Sequence, residues 1–148
     1  MENPLTSAPK IAFFEGTKAC KQAYSKLLDS STEILEFATH EDLVEKFGKQ
    51  CIDDFIKELS RRHIIISSIC HETPFYLYLK PFYKKQFRRT KFIPQKKGQM
   101  YSCIALYEDK LLMMNLGSDP FGILIENAAI VETMKTIHDL AWNSKSLA

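Results

Sequence analysis

Apolar positions along this chain follow two periods, and the switches between them mark out its elements. Lys10 to Phe14 (KIAFF) is a short run of strand formers, closed by Glu15-Gly16. Thr17 is placed to cap a helix over Lys18 to Leu28, with Ala23, Tyr24, Leu27 and Leu28 on one face. Thr32 to Ala38 (TEILEFA) reads as a second strand, apolar at Ile34, Leu35 and Phe37 and interrupted by Glu33 and Glu36. Thr39, three residues before Asp42, opens a long helical pattern to Arg62. Its stripe is Val44, Phe47, Cys51, Phe55 and Leu59, with Gly48 inside it. A glycine there costs about 1 kcal/mol relative to alanine, which leaves one continuous helix as the expectation.

His63 to Cys70 (HIIISSIC) is the near-continuous β-branched run of a central parallel strand. Three strands with two intervening helices predict a βαβαβ unit with right-handed crossovers. Tyr101 to Tyr107 and Lys110 to Asn115 predict a hairpin turning at Glu108-Asp109. GSDPFG (Gly117 to Gly122) is a turn before a strand over Ile123 to Glu126. Asn127 then caps a last helix whose stripe is Ile130, Met134, Ile137 and Ala141, with Trp142 one turn beyond His138. Thr73 to Lys97 shows neither period. The expected organisation is a flexible lead-in over 1–9, one α/β domain over 10–143 and a short tail over 144–148.

Composition excludes several classes. The chain has 148 residues, 45% of them apolar and 26% charged, with a net charge of +2. Those values suit one soluble globular domain and give no global reason to invoke nucleic acid. No apolar run is long enough for a bilayer, and the first ten residues lack the pattern of a secretory signal. A cytoplasmic setting with no membrane is expected. Cys20, Cys51, Cys70 and Cys103 form no CxxC pair, which predicts reduced core thiols. The four histidines are scattered, so neither a metal nor any other cofactor is expected.

Charge is uneven. Between Lys80 and Lys97 stand eight basic residues and no acid, whereas the rest of the chain has 12 basic against 18 acidic. Phe82, Tyr83, Phe87 and Phe92 are interleaved with them. Lys84, Lys85, Arg88, Arg89 and Lys91 are therefore candidates for a nucleic-acid surface, with phosphates on the cations and bases on the rings. Two other readings stay open. One is a solvated surface helix with Tyr83 and Phe87 turned into the core; the other is an anionic ligand held by Arg88 or Arg89. In an open α/β sheet, ligands favour the rim beyond the carboxyl ends of the strands. That rim offers Glu15, Thr39, His40 and His71. There is no phosphate-binding glycine loop, no GxSxG and no HExxH.

Taken together, KIAFFEG, TEILEFAT, RRHIIISSIC, FRRTKFIPQ, MYSCIALYEDKLLMMNLG and GILIENAAIVETMKTIHDLAW resemble the C-terminal effector domain of TrmB-type transcription regulators. That domain has a phospholipase D-like fold. The resemblance spans Lys10 to Trp142 and implies a mixed sheet flanked by helices, joining the βαβαβ unit to the later hairpin. It also implies a winged-helix DNA-binding domain ahead of this region, whereas nine residues precede Lys10 here. The expectation is a stand-alone relative or the effector half of a regulator.

Active phospholipase D-like proteins use His-x-Lys followed by Asp, the histidine attacking phosphorus and the lysine holding the phosphate. None of the four histidines has lysine two places on; Asp42, Ile65, Thr73 and Leu140 stand there. With Asp109 laid on the motif's aspartate, Ser102 falls at the histidine and Ile104 at the lysine. Gly117-Ser118 then echoes the Gly-Ser that follows the motif. This predicts a scaffold without its nucleophile, and no hydrolysis by that mechanism. The preferred reading is a non-catalytic regulatory domain with a ligand pocket lined by Glu15, Thr39, His40, Ser102 and Glu126. Its expected partners are a small-molecule effector, a second copy of the chain, and a DNA-binding domain or chain. The alternatives are a nucleic-acid module using the basic segment, or an enzyme of unrelated chemistry with His40 or His71 as base.

Overall fold

The computed structural model describes residues 7–74, 81, 87–94 and 97–147. Its elements are β1 (Lys10–Glu15), α1 (Thr17–Ser25) with a 3-10 turn (Lys26–Asp29), β2 (Ile34–Ala38), α2 (His40–Phe47), α3 (Lys49–Arg61) and β3 (Ile66–His71). Then follow β4 (Arg88–Ile93), β5 (Cys103–Tyr107), β6 (Lys110–Asn115), β7 (Phe121–Glu126) and α4 (Ala128–Trp142). The strands form a seven-stranded mixed sheet in the order β1-β7-β6-β5-β2-β3-β4. The β2–β3 and β3–β4 pairs are parallel, and every other pairing is antiparallel.

β1 runs in the same sense as β2 and β3, but it is not beside them. The β5–β6–β7 meander lies between β1 and β2, and β1 closes the far edge against β7. Sequence periodicity identifies a strand but not its neighbour, so the expected compact βαβαβ unit is opened by three strands.

Alternation assigns the two faces. On one, Ile34, Ile66, Cys103, Ala105, Leu112 and Met114 pack beneath Cys20, Tyr24 and Leu27 of the α1 segment and beneath α2 and α3. On the other, Leu106 and Leu111 are sealed by Val131 of α4, with Leu35, Met113 and Met134 around them.

The expected long helix is two helices. Gly48 has φ +92°, ends α2 and caps α3. That left-handed angle is open to glycine at little cost, so Gly48 makes an elbow, and Phe47 and Ile52 both remain buried across it. At the start of α1, Gly16 rather than Thr17 is the cap residue, again at positive φ. Asn127 caps α4 as expected, its Oδ1 accepting from the Ile130 N–H at 2.9 Å.

The buried stripe of α4 is not the one the apolar pattern indicated. Val131 and His138 face the sheet, while Ile130, Ile137 and Leu140 are exposed. Two overlapping stripes share Met134, and the sheet selects the one containing histidine. Phe37 meets the His138 ring edge-on at 5.0 Å and Trp142 stacks on it at 5.9 Å. The basic segment holds the other correction: Arg88–Ile93 is a parallel edge strand rather than a surface helix. Positions 82–86 lie outside the described residues.

Candidate functional site

The carboxyl ends of β2 and β3 and the start of β5 meet at one rim of the sheet. Phe37 pairs with Ile104 and Ala38 with Cys70, which brings Thr39, His71 and Ser102 to the same end. A cleft of about 120 Å3 opens there, lined by Ala38, Thr39, His40, Glu41, Asp42, His71, Thr73, Gln99 and Met100. The Thr39 hydroxyl lies 2.8 Å from Cys103 Sγ, joining the start of α2 to β5. His71 Nε2 accepts the Met100 N–H at 3.0 Å. An Nε2 that accepts is unprotonated, so the neutral ring carries its proton on Nδ1.

His40 opens α2 but is buried, and burial together with the nearby Arg88 charge lowers its pKa to about 3. It stays neutral across the physiological range and makes a poor general base. Burial likewise pushes the Cys103 thiol up to about 12, so it does not supply a thiolate. Glu41 and Asp42 occupy the first turn of α2, where they interact favourably with the helix dipole. Their charge at the cleft disfavours a phosphate and suits a neutral, hydroxylated ligand.

The other expected pocket residues are spread out. Glu15 ends β1, four strand positions from β2, or roughly 19 Å at the usual strand spacing. It lines a separate cleft with Phe13, Gly16, Asp119, Pro120 and Phe121. Glu126 sits at the opposite end of the sheet, opposite Lys10 on one side and Lys110 on the other. Ser102 is at the correct rim, its Oγ accepting a long 3.5 Å hydrogen bond from Asn115 Nδ2. Thr39, His40 and Ser102 are thus brought together, and Glu15 and Glu126 are not.

Of the basic candidates, Arg88 is buried on the α1–α3 face, and Arg89 is exposed. Lys91 Nζ donates to the Trp142 carbonyl at 2.7 Å and lies 5.0 Å from that ring's centroid. It completes the end of α4 rather than offering a free charge. Lys84 and Lys85 lie outside the described residues. No group of three or more metal-ligating side chains occurs among the described residues. None of their helices is long and apolar enough to cross a membrane.

Sequence reasoning missed a polar row inside the core. Glu36, Ser68 and Thr90 are register partners across β2, β3 and β4. Glu36 is almost fully buried and accepts a hydrogen bond from Ser68 Oγ. Burial raises its pKa, while the Ser68 hydrogen bond and Arg88 pull it back. The signal was there: Glu36 shares parity with Ile34 and Ala38, so a strand with that face buried must bury the acid too.

Ser102 has Asn115 as its hydrogen-bond partner, and Ile104 packs among the apolar residues under α4. Asp109 stands at the far turn of the β5–β6 hairpin, where its carbonyl accepts the Asn127 N–H at 3.0 Å.

No family model and no curated protein matches this chain. Solved structures do match in fold. TrmBL2, described as an archaeal chromatin protein with a novel mode of DNA binding, aligns with a TM-score of 0.65 at 13% identity. The alignment covers 91% of this chain and 50% of TrmBL2, so the chain spans about half of that protein. Nuc, a phospholipase D family member from Salmonella typhimurium, gives 0.65 at 9% identity, covering 92% of this chain and 95% of Nuc. NucT from Helicobacter pylori gives 0.59 at 15% identity, covering 89% and 94%. The chain therefore has a phospholipase D-like fold: a mixed sheet with helices on both faces and a C-terminal helix closing one of them.

Proposed function

We propose that the chain is a non-catalytic regulatory domain, of the kind that serves as effector half in TrmB-type regulators. It senses a small polar effector at the Thr39–His71 cleft and works as a homodimer in the cytoplasm. The observation that carries the reading is the placement of Ser102 and Ile104. On the alignment that lays Asp109 on the motif's aspartate, the nucleophile and phosphate-holding positions of a phospholipase D-type reaction carry Ser102, beside Asn115, and the partly buried Ile104, which supports a non-catalytic reading. Pairing is supported by Ile130, Ile137 and Leu140, large apolar side chains left exposed on α4.

The test joins a phosphodiesterase assay on bis(p-nitrophenyl) phosphate to a thermal-shift screen of sugars, nucleotides, phosphorylated metabolites and short oligonucleotides. The reading expects no turnover and a salt-resistant shift with one small polar compound. Turnover abolished by Ser102→Ala would overturn it. The nucleic-acid reading draws on the DNA binding described for TrmBL2. It is the weaker one here, because Arg88 is buried and Lys91 is engaged by Trp142.

A further inference from the structure

Among the described residues the sheet ends in two edges of different character. β4, at one edge, carries Arg88, Arg89 and Lys91 within its length, and charged side chains of that kind discourage edge-to-edge pairing. β1, at the other, carries charge only at its ends: between Lys10 and Glu15 it reads Ile-Ala-Phe-Phe. Ile11, Ala12 and Phe13 are exposed. Ile11 and Phe13 share the sheet face on which α4 packs, since Ile11 pairs with Ile125 of that face. They leave an apolar strip at the rim of the molecule.

The hydrogen-bond pattern determines which groups this edge offers. The Gly16 N–H donates to the Pro120 carbonyl at 2.8 Å, and these two residues continue the β1–β7 register. Even-numbered residues of β1 therefore exchange hydrogen bonds with β7, and the N–H and C=O of Ile11, Phe13 and Glu15 point outward. None of these outward groups has a hydrogen-bond partner among the described residues. A two-fold axis normal to the sheet sets odd residues opposite odd ones, so the outward groups of two β1 strands match each other. Centred on Ala12, it places Ile11 opposite Phe13 of the second copy twice over and Ala12 opposite its own equivalent. Pro9, which lacks an N–H, then faces Glu15 and ends the ladder. Centred on Phe13, the axis would instead set Ile11 against Glu15. The Ala12 centring also separates like charges. At about 3.4 Å per residue the two Lys10 are roughly 14 Å apart along the strands and the two Glu15 roughly 20 Å, while each Lys10 has Glu15 of the other copy as a diagonal neighbour.

We propose that β1 is a self-pairing edge: two copies of the chain join antiparallel through Lys10–Glu15, on a two-fold axis at Ala12, and their seven-stranded sheets become one. The outward groups of Ile11 and Phe13 are satisfied across the axis, and the Ile11–Phe13 pairs, β-branched against aromatic, bury the strip. A second copy is the occupant this edge specifies, because its own sequence supplies the apolar partner, the matching backbone groups and the complementary order of charges. The contact uses none of the exposed α4 side chains. It therefore goes beyond the homodimer proposed above and stands or falls apart from it.

Ala12 offers a direct readout. Across the axis it faces its own equivalent in a non-hydrogen-bonded pair, where Cα atoms are about 4.5 Å apart, within the span of a disulfide. The whole chain carrying Ala12→Cys, oxidised with diamide at micromolar concentration and run on a non-reducing gel, is expected to form a covalent dimer. The parent, whose Cys20, Cys70 and Cys103 are buried and Cys51 only partly exposed, should form none. Neither should Lys10→Cys, whose equivalent is roughly 14 Å away. Adding Phe13→Lys to Ala12→Cys should slow dimer formation at least about tenfold, because both Ile11–Phe13 pairs are lost; an unchanged melting transition in reductant checks its fold. Adding Leu140→Glu should leave the rate unaltered. Equal cross-linking at positions 10 and 12, or none at either, would overturn the self-pairing edge. So would cross-linking that is lost with Leu140→Glu and kept with Phe13→Lys, which would put the contact on α4.

Discussion

Glu36 and His138 are joined through one carbonyl oxygen: His138 Nε2 lies 3.2 Å from the Glu36 backbone oxygen, while the Glu36 carboxyl is on the opposite face with Ser68. One residue of a central strand thus holds the C-terminal helix on one side and a buried acid on the other. Both side chains titrate away from their usual range because both are buried.

The pH dependence of stability follows from these groups. His40 and His138 have folded pKa values below the ordinary 6.5, so the unfolded chain takes up protons that the folded chain refuses. Their stabilising contribution is present above 6.5 and is lost as pH falls below it. For His40, with a folded value of about 3, the loss between pH 7.5 and pH 5 is about 2 kcal/mol. Glu36 has the opposite sign: its raised pKa disfavours the fold as pH rises through the carboxylate range. Urea melts from pH 8 to 5 should show a falling midpoint, and His40→Gln should flatten it; an equally steep fall in the variant would refute the assignment to His40.

At the elbow, Gly48→Ala is expected to cost about 1–3 kcal/mol, because φ +92° with ψ 145° is a region essentially reserved to glycine. A Cβ there would meet nothing within 4 Å, so the penalty is backbone strain at φ +92° and not a clash. Denaturant melts measure it; a cost of zero would mean that the chain tolerates a continuous helix.

Arg89 and Lys91 separate a surface role from a structural one. Lys91→Met should lower stability by about 1 kcal/mol, since the Trp142 carbonyl and ring both lose their cation. Arg89→Ala should leave stability within about 0.5 kcal/mol of the parent, as an exposed substitution does. If the chain binds oligonucleotides, Arg89→Ala should reduce the salt slope by about one. An unaltered slope removes Arg89 from any such surface.

Asn127 fastens two segments. Its Oδ1 caps α4, and its Nδ2 donates to the Ser7 carbonyl at 2.8 Å. Asn127→Ala should cost about 1–2 kcal/mol, and hydrogen exchange should rise in the first turn of α4 and at the start of β1. Exchange confined to α4 would show that the Ser7 contact contributes nothing.

Much of the architecture was legible because the strand and helix periods differ. Eight of the pieces appeared near their true positions, six strands and two helices, and Asn127 announced its cap. The rest turned on choices that periodicity does not encode. Gly48 is compatible with a helix by propensity and becomes an elbow because Phe47 and Ile52 are buried on both sides of it. Arg88 to Ile93 hid its alternation behind consecutive cations, of which Arg88 faces inward and Arg89 outward. At the site, Thr39, His40 and Ser102 were readable as strand ends and as a degenerate motif. The distance from Glu15 and Glu126 was not, because it depends on which strands come between.

The position of β1 also determines when the fold can be completed. Lys10 pairs with Glu126, and Glu15 with Phe121. During synthesis β1 therefore waits for β7, about a hundred residues later, before it can enter the sheet. Until then Ile11 and Phe13 have no sheet to join, and after docking they remain 66% and 59% exposed on an edge strand. A pairing this remote in sequence is slow to close, and a strand with the apolar stretch Ile11–Phe14 waiting unpaired is prone to pair with its copies. Nascent chains halted before Phe121 would carry that hazard in full, even with β2, β3 and their helices already assembled.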